Sequence, residues 1–349
     1  MATVPAHLGV LQVEPTDHCN LACRMCAPHA ERWASVHGVP KGFLDPVRYA
    51  RILDHLVEED TRFDHVILQW LGDPAVHPDL EGLLAGTVGR LAGRVGYVRF
   101  DTNGILLGPA RVDRIFDDLR ADVPMVIVFT VDATTAATYR STKGQEGLER
   151  AHRHIRHLLA RRRQSGAAQV SVQVQFVVQA TNHLEAGDFL RYWEDAFLCL
   201  GGGVGHGEIL FKRLSVSGGA EGQAAADRLY EQTMARFGIE ARAAGDVSVS
   251  VWHDRPWQKD DGHAARGPCP GLWFTPVIRH DGHLLMCCAD LHGALDLGAV
   301  DESGFLALWN GPRARSERRA HLAGRFEGVC ASCGGINWYG LPQRPGETV

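Results

Sequence analysis

The sequence has no uncharged apolar stretch approaching the roughly 20 residues that a membrane helix needs. Its start, MATVPAHLGV, lacks the charged segment and long apolar run of a secretory signal. A cytoplasmic protein is therefore expected. Positive charge is not in excess either. The 36 basic and 41 acidic residues leave a net charge of −5, so neither nucleic acid nor a membrane surface is an expected partner. Internal repeats and low-complexity tracts are also missing. What is present is an ordinary globular composition, 45% apolar and 22% charged, in a chain of 349 residues that suffices for one large domain and a smaller one.

Cysteine is the exception, with nine residues. In a cytosolic chain that number points to metal binding or catalysis rather than disulfides. Cys19, Cys23 and Cys26 lie together, Cys199 is alone, and Cys269, Cys287, Cys288, Cys330 and Cys333 lie near the C-terminus. Two separate cysteine sites are expected.

Runs rich in Val, Ile and aromatic residues predict strands over 9–15, 65–71, 97–103, 125–132, 170–178 and 208–214. Amphipathic segments such as PVRYARILDHLVEE and GLERAHRHIRHLLARRRQ fall between them. Alternating strands and helices imply parallel βαβ units with right-handed crossovers, closing as a partial (β/α)6 barrel or remaining an open sheet. Either arrangement gathers the chemistry at the C-terminal ends of the strands. A further helix is expected over 221–242 and a connector over 243–264. After it come a hairpin turned at Asp281-Gly282, a helix over about 303–323, and the pair CASC. The expected domains are thus 1–242 and 265–349. The basic run HRHIRHLLARRRQ reads as a solvated helix face.

The stretch TDHCNLACRMC, Thr16 to Cys26, follows the first strand. Its C-x3-C-x2-C spacing resembles the radical S-adenosylmethionine superfamily. That resemblance implies a partial TIM-like barrel and a [4Fe–4S] cluster on Cys19, Cys23 and Cys26. One iron is left for the amino and carboxylate groups of S-adenosylmethionine, whose reductive cleavage yields a 5′-deoxyadenosyl radical. An external one-electron donor of flavodoxin or ferredoxin type is implied as partner. Met25 stands where the family often has an aromatic residue, and methionine packs against an adenine ring as well. LGDPAVHPDL resembles the family's Gly-Gly-Glu-Pro turn, with Leu71 for the first glycine, then Gly72, and Asp73 for the glutamate. DTNG, with Asn103, and FTVDATTAATYRSTKG, with Thr130, Asp132 and Lys143, resemble further cofactor-binding motifs. Gln175 and Gln179 are weaker candidates.

The C-terminal spacing, Cys269-x12-Gly282-x4-Cys287 and Cys330-x2-Cys333, resembles the SPASM extension in its shortened twitch form, a β-hairpin followed by a helix. This implies a second [4Fe–4S] cluster with four protein ligands; the same residue types also suit a zinc ribbon. On strand alternation Cys288 should face away from Cys287, as a buried small residue or a hydrogen donor to substrate. Cys199 reads as core filler. Dehydrogenases and epimerases of sugars and aminocyclitols in antibiotic biosynthesis share this architecture. The resemblance therefore implies hydrogen abstraction from a carbinol carbon of a hydroxylated small molecule, with Arg213, or Lys212, assisting deprotonation. The alternative is a peptide-modifying enzyme. Only 18 residues precede Cys19, short of the leader-binding domain many such enzymes carry, which lowers that expectation.

Overall fold

A computed structural model describes residues 4–26, 29, 35–36, 38–201, 204–215, 220–251 and 267–333. In chain order the first strands are β1 (His7–Val13), β2 (Ser35–Val36), β3 (Val39–Pro40), β4 (Arg62–Leu68) and β5 (Val95–Thr102). There follow β6 (Met125–Thr130), β7 (Val170–Val178), β8 (Gly207–Arg213), β9 (Arg242–Ala244) and β10 (Val247–Val251). The last are β11 (Val277–Ile278), β12 (His283–Leu285) and β13 (Asp296–Ala299). The main helices are α1 (Pro46–Glu58), α2 (Leu80–Arg90), α3 (Pro109–Asp117), α4 (Ala136–Lys143), α5 (Leu148–Ser165), α6 (Ala186–Ala196) and α7 (Ala220–Phe237). Among the described residues, no helix is long and apolar enough to cross a membrane.

The chain divides into two compact units. One comprises 1–18, 34–99 and 254–349 and the other 19–33 and 100–253. In the first unit the strands run in the order β13-β12-β11-β1-β4-β5. β1 is parallel to both β4 and β11, whereas β11, β12 and β13 pair antiparallel. Six of the seven residues of β1 are buried, as a parallel strand covered on both faces requires. The helix α1 starts where Asp45 accepts from the Arg48 amide and Pro46 fills the first turn, and it buries Tyr49, Ile52, Leu53 and Leu56.

In the second unit the order is β6-β7-β8-β10-β9. β6, β7, β8 and β10 are mutually parallel along that order. Val170, Val172, Val174, Phe176 and Val178 of β7 are buried, and α5 and α6 supply Ile155, Leu158, Leu159, Phe189 and Trp193 to the same core. Strand–helix alternation with parallel pairing is the expected α/β architecture, a partial TIM-like barrel followed by C-terminal strands and helices.

Some local expectations are corrected. The segment from 243, expected to be connector, begins with β9 and β10. Gly245, at φ +59°, turns them, and the alternating Val-Ser-Val-Ser-Val presents one buried face. The rest of that connector, 252–264, lies outside the described residues. The helix expected over 303–323 is three pieces, Val300–Ser303, Phe305–Trp309 and Pro312–Leu322. Gly304 at φ +80° interrupts the first junction, and Gly311-Pro312 restarts the chain at the second. The hairpin turns at Asp281-Gly282 as expected, with Gly282 at φ +85°. A helical turn, Gly271–Phe274, precedes it. Cys199 is exposed in a turn over Phe197–Gly201, not packed in the core.

Candidate active site

The cysteine loop belongs to the second unit, and its three thiols are half-buried. The Cys26 amide donates to the Cys23 carbonyl at 3.0 Å, closing a turn, and the Leu21 amide donates to Cys19 Sγ at 3.4 Å. Polar neighbours brace the loop from outside. Asn103 Nδ2 donates to Asn20 Oδ1 at 2.9 Å, Gln145 Nε2 to the Asn20 carbonyl, and the Arg24 amide to the Thr142 carbonyl at 3.3 Å. Gly144 ends α4 at φ +79°, and a Cβ there would stand 2.5 Å from the Ala22 carbonyl oxygen. Both the turn and the close approach require glycine.

Beneath the loop lies a buried ion pair. Asp132, with φ +61°, accepts from the Val177 amide at 2.6 Å through Oδ1 and from Lys143 Nζ at 2.6 Å through Oδ2. Burial pulls the Lys143 ammonium down, but Asp132 and then Cys23 outweigh it and hold it above the ordinary lysine range. Burial pushes the Cys23 thiol up, opposed by the Lys143 charge. Two of the expected cofactor residues thus engage each other directly beside the central cysteine. Thr130 is half-buried at the end of β6, in register with Gln175, which donates to Gln173 Oε1 at 2.7 Å. Gln179 Nε2 reaches Met25 Sδ at 3.2 Å. Arg213, at the end of β8, is buried and pairs with Asp227 Oδ2 of α7 at 3.0 Å.

In the first unit, the turn after β4 is packed against the chain that leads into the cysteine loop. The Asp73 amide donates to the His18 carbonyl at 2.9 Å, and Asp73 Oδ1 accepts from the Ala75 amide at 2.9 Å. A Cβ on Gly72 would fall 2.1 Å from the Thr16 carbonyl oxygen, so no larger residue fits without moving backbone. Glu14, fully buried, accepts from the Leu71 amide at 3.3 Å and from His280 Nδ1 at 3.0 Å, joining this turn to the β11–β12 hairpin.

Cys269, Cys287 and Cys330 are buried in the same unit and Cys333 is half-buried. The Ala289 amide donates to Cys287 Sγ at 3.3 Å, and the Cys269 amide to His321 Nδ1 at 3.4 Å. The strand alternation expected to turn Cys288 away from Cys287 does not operate here, because β12 ends at Leu285 and both cysteines lie beyond it. The neighbouring Cys288 thiol, and then burial, push the Cys287 thiol up. The Cys288 carbonyl accepts from Trp70 Nε1 at 3.0 Å, and its side chain packs on Trp70, Val277 and Leu285. Among the described residues, no three His, Cys, Asp or Glu side chains already stand as a metal cage; a metal or cluster itself draws its ligands together on binding.

The donor chemistry fits iron–sulfur clusters. Both cysteine sets offer soft thiolates, and each contains a backbone N–H aimed at a sulfur, which stabilises ligating thiolate. Residues 13–165 match the family model of the Radical SAM superfamily, and residues 269–334 match SPASM, an iron-sulfur cluster-binding domain. Together the two matches span more than half of the chain. This chain carries a radical SAM domain followed by a SPASM domain.

As a radical SAM protein with a SPASM domain, it uses S-adenosylmethionine and iron–sulfur clusters as cofactors. A tungsten-containing aldehyde ferredoxin oxidoreductase cofactor-modifying protein of Pyrococcus furiosus is 25% identical over 183 residues, covering 52% of this chain. The chain spans about half of that relative, 47% of its length. Among solved structures, BtrN in complex with AdoMet and 2-DOIA superposes with a TM-score of 0.51 at 14% identity, covering 94% of each chain. Streptococcus suis SuiB bound to S-adenosylmethionine gives 0.59 at 12% identity, covering 90% of this chain and 68% of SuiB. His-tagged anSMEcpe with bound AdoMet gives 0.59 at 13% identity, covering 91% and 81%. At these identities the superpositions establish the shared fold.

Proposed function

We propose that this radical SAM enzyme oxidises a carbinol carbon of a hydroxylated sugar or aminocyclitol-type metabolite to a ketone, in natural-product biosynthesis. The observation that carries the reading is the C-terminal thiol set, Cys269, Cys287, Cys330 and Cys333, three of them buried. Four thiolates occupy all four irons of a cluster, which suits it to accept an electron rather than to bind substrate. In all, the substrate loses one hydrogen atom, one proton and one electron. When bound, S-adenosylmethionine with the cluster on Cys19, Cys23 and Cys26 supplies the hydrogen-atom abstraction, and the four-thiolate cluster supplies the electron acceptor.

The chain's own residues bind, orient and move the proton. Gly72 and Asp73 offer a close backbone approach and an anionic acceptor for the cofactor's amino group. Met25, held by Gln179, offers an apolar contact for its adenine. Asn103 pins the cysteine loop through Asn20, and Thr130 lines the end of β6. Asp132 and Lys143 keep a compensated charge pair beside Cys23 rather than a free lysine. Arg213 serves as a hydrogen-bond donor through its guanidinium. It polarises the substrate hydroxyl, and the carboxylate of Asp227, 3.0 Å from its guanidinium, receives the proton. The neighbour matched end to end, BtrN, was seen with the small molecule 2-DOIA, which supports this substrate class. SuiB was also seen bound to precursor peptide SuiA, which supports peptide modification as the second reading.

The test is turnover of a panel of sugars and aminocyclitols deuterated at the carbinol carbon, beside a panel of peptides. Deuterium appearing in 5′-deoxyadenosine together with a ketone product is the expected result. Return of a solvent hydrogen to the same carbon would make the enzyme an epimerase, with Cys288 as the candidate donor. Turnover of peptides alone would overturn the small-molecule reading.

A further inference from the structure

Helix α5 carries three exposed arginines for which no ion pair is formed among the described residues, with Glu149 beside Arg150 and one turn before Arg153. Arg150, Arg153 and Arg156 are exposed and recur every three residues, so they form a stripe along one side of the helix. The other arginines of this run are engaged. Arg161 pairs with Asp113 at 3.3 Å and Asp117 at 3.2 Å, Arg162 is buried against the His206 carbonyl at 2.8 Å, and Arg163 donates to the Cys199 carbonyl at 3.2 Å. Glu146, the nearest acidic residue before the helix, is paired with Arg140 at 2.6 Å. Among the described residues, no carboxylate lies within ion-pair distance of Arg150, Arg153 or Arg156. The histidines between them add no charge of their own at neutral pH. Burial and Arg156 push His152 down to about 4, and burial, Arg153 and Arg150 also lower His154.

The stripe begins beside the cysteine loop. Thr142 and Gln145 hydrogen-bond Arg24 and Asn20 of that loop, Gly144 is packed against Ala22, and α5 starts at Leu148. Arg150 therefore lies in the first turn of a helix whose preceding residues touch the segment between Cys19 and Cys23. A cavity of about 570 Å³ opens at this corner, and its charged and polar lining is Thr134, Glu146, Glu149 and His152 together with Arg150 and Arg153.

We propose that the Arg150–Arg153–Arg156 stripe is the docking surface for an acidic one-electron donor protein of the flavodoxin class. The inference rests on the radical SAM reading of the cysteine loop. The donor's reduced flavin is oxidised by one electron, the cluster on Cys19, Cys23 and Cys26 is reduced by one, and no atom is transferred. The charge balance explains why a local stripe is needed. A chain of net charge −5 repels an acidic partner as a whole, but at physiological salt that field is screened beyond about 8 Å. Cations on the contact surface then decide where and how fast the partner lands.

The test measures binding of a purified flavodoxin by titration calorimetry at low and at physiological salt, which needs no turnover. It compares the natural sequence with an Arg150→Glu/Arg153→Glu/Arg156→Glu variant. A second variant, Arg62→Glu/Arg90→Glu/Arg236→Glu, makes the same change of net charge at exposed positions elsewhere. The stripe variant is expected to lose affinity by about tenfold or more and most of its salt dependence, while the second variant stays near the natural value. With flavodoxin as reductant, 5′-deoxyadenosine formation by the stripe variant should show a raised KM for flavodoxin. With dithionite it should keep its rate. Equal weakening in both variants, unchanged affinity in the stripe variant, or no binding of flavodoxin by the natural sequence would overturn the docking proposal. Failure of the natural sequence to form 5′-deoxyadenosine with dithionite would instead overturn the radical reading beneath it.

Discussion

Lys143 Nζ lies 2.6 Å from Asp132 Oδ2, and both side chains are almost wholly withdrawn from solvent. A buried pair of this kind contributes little net stability over an apolar pair, yet removing one member strands the other. Lys143→Met should therefore cost about 3–5 kcal/mol in urea unfolding. Lys143→Met/Asp132→Asn should recover part of that loss. If Lys143→Met left stability unchanged but lost S-adenosylmethionine affinity, the lysine would be a cofactor ligand rather than the partner of Asp132.

The Glu14–His280 pair predicts a pH dependence. Burial disfavours the His280 imidazolium, but the hydrogen bond to Glu14 and the charges of Glu14, Asp17 and Asp281 outweigh it. Its pKa is thereby held above the ordinary 6.5. A histidine raised in the folded state stabilises fully below its unfolded pKa, and that contribution is lost as pH rises through the folded value. The Tm of the natural sequence should accordingly fall from pH 6.5 upward more steeply than that of His280→Gln. Parallel Tm profiles would show that the pair is not linked to folding.

Gly72→Ala places a methyl group 2.1 Å from the Thr16 carbonyl oxygen and 2.5 Å from that of His18. Backbone cannot yield as a side-chain tip does, so the turn must move, at a cost of about 1–3 kcal/mol. Weaker S-adenosylmethionine binding to the reconstituted protein should accompany the loss. A variant with unaltered Tm and affinity would mean that the turn is looser than this geometry.

Trp70→Phe keeps the aromatic packing on Val277 and Leu285 but removes the donor to the Cys288 carbonyl. A cost of about 1 kcal/mol is expected, together with a shifted EPR signal from the C-terminal cluster. An unchanged signal would separate Trp70 from the cysteine turn.

Much of this site was legible in the sequence because it is carried by local spacing. The cysteine loop, the Asp281-Gly282 hairpin and all six strand–helix units follow from periodicity and turn residues. Strand boundaries shifted by a few residues, since β1 runs from His7 where the apolar pattern begins at Gly9. The relations that were not legible are tertiary. Asp132, its backbone at φ +61°, meets Lys143 across 11 positions, and Glu14 meets His280 across 266 positions. Cys287 and Cys288 lie two and three residues past the end of β12, where strand alternation no longer sets the direction of a side chain. Gln145, which braces the loop through the Asn20 carbonyl, belongs to no motif, and a lone polar residue more than a hundred positions away is too common to single out.

The central claim is that two cysteine sets hold two independent clusters. Iron and sulfide content with EPR, measured on anaerobically reconstituted protein and on a Cys19→Ala/Cys23→Ala/Cys26→Ala variant, tests it most directly. The account predicts about eight irons in the natural sequence and about four in the variant, with a cluster signal retained. Four irons with one zinc in the natural sequence, and no cluster signal in the variant, would make the C-terminal site a zinc ribbon and leave the proposed oxidation without its electron acceptor.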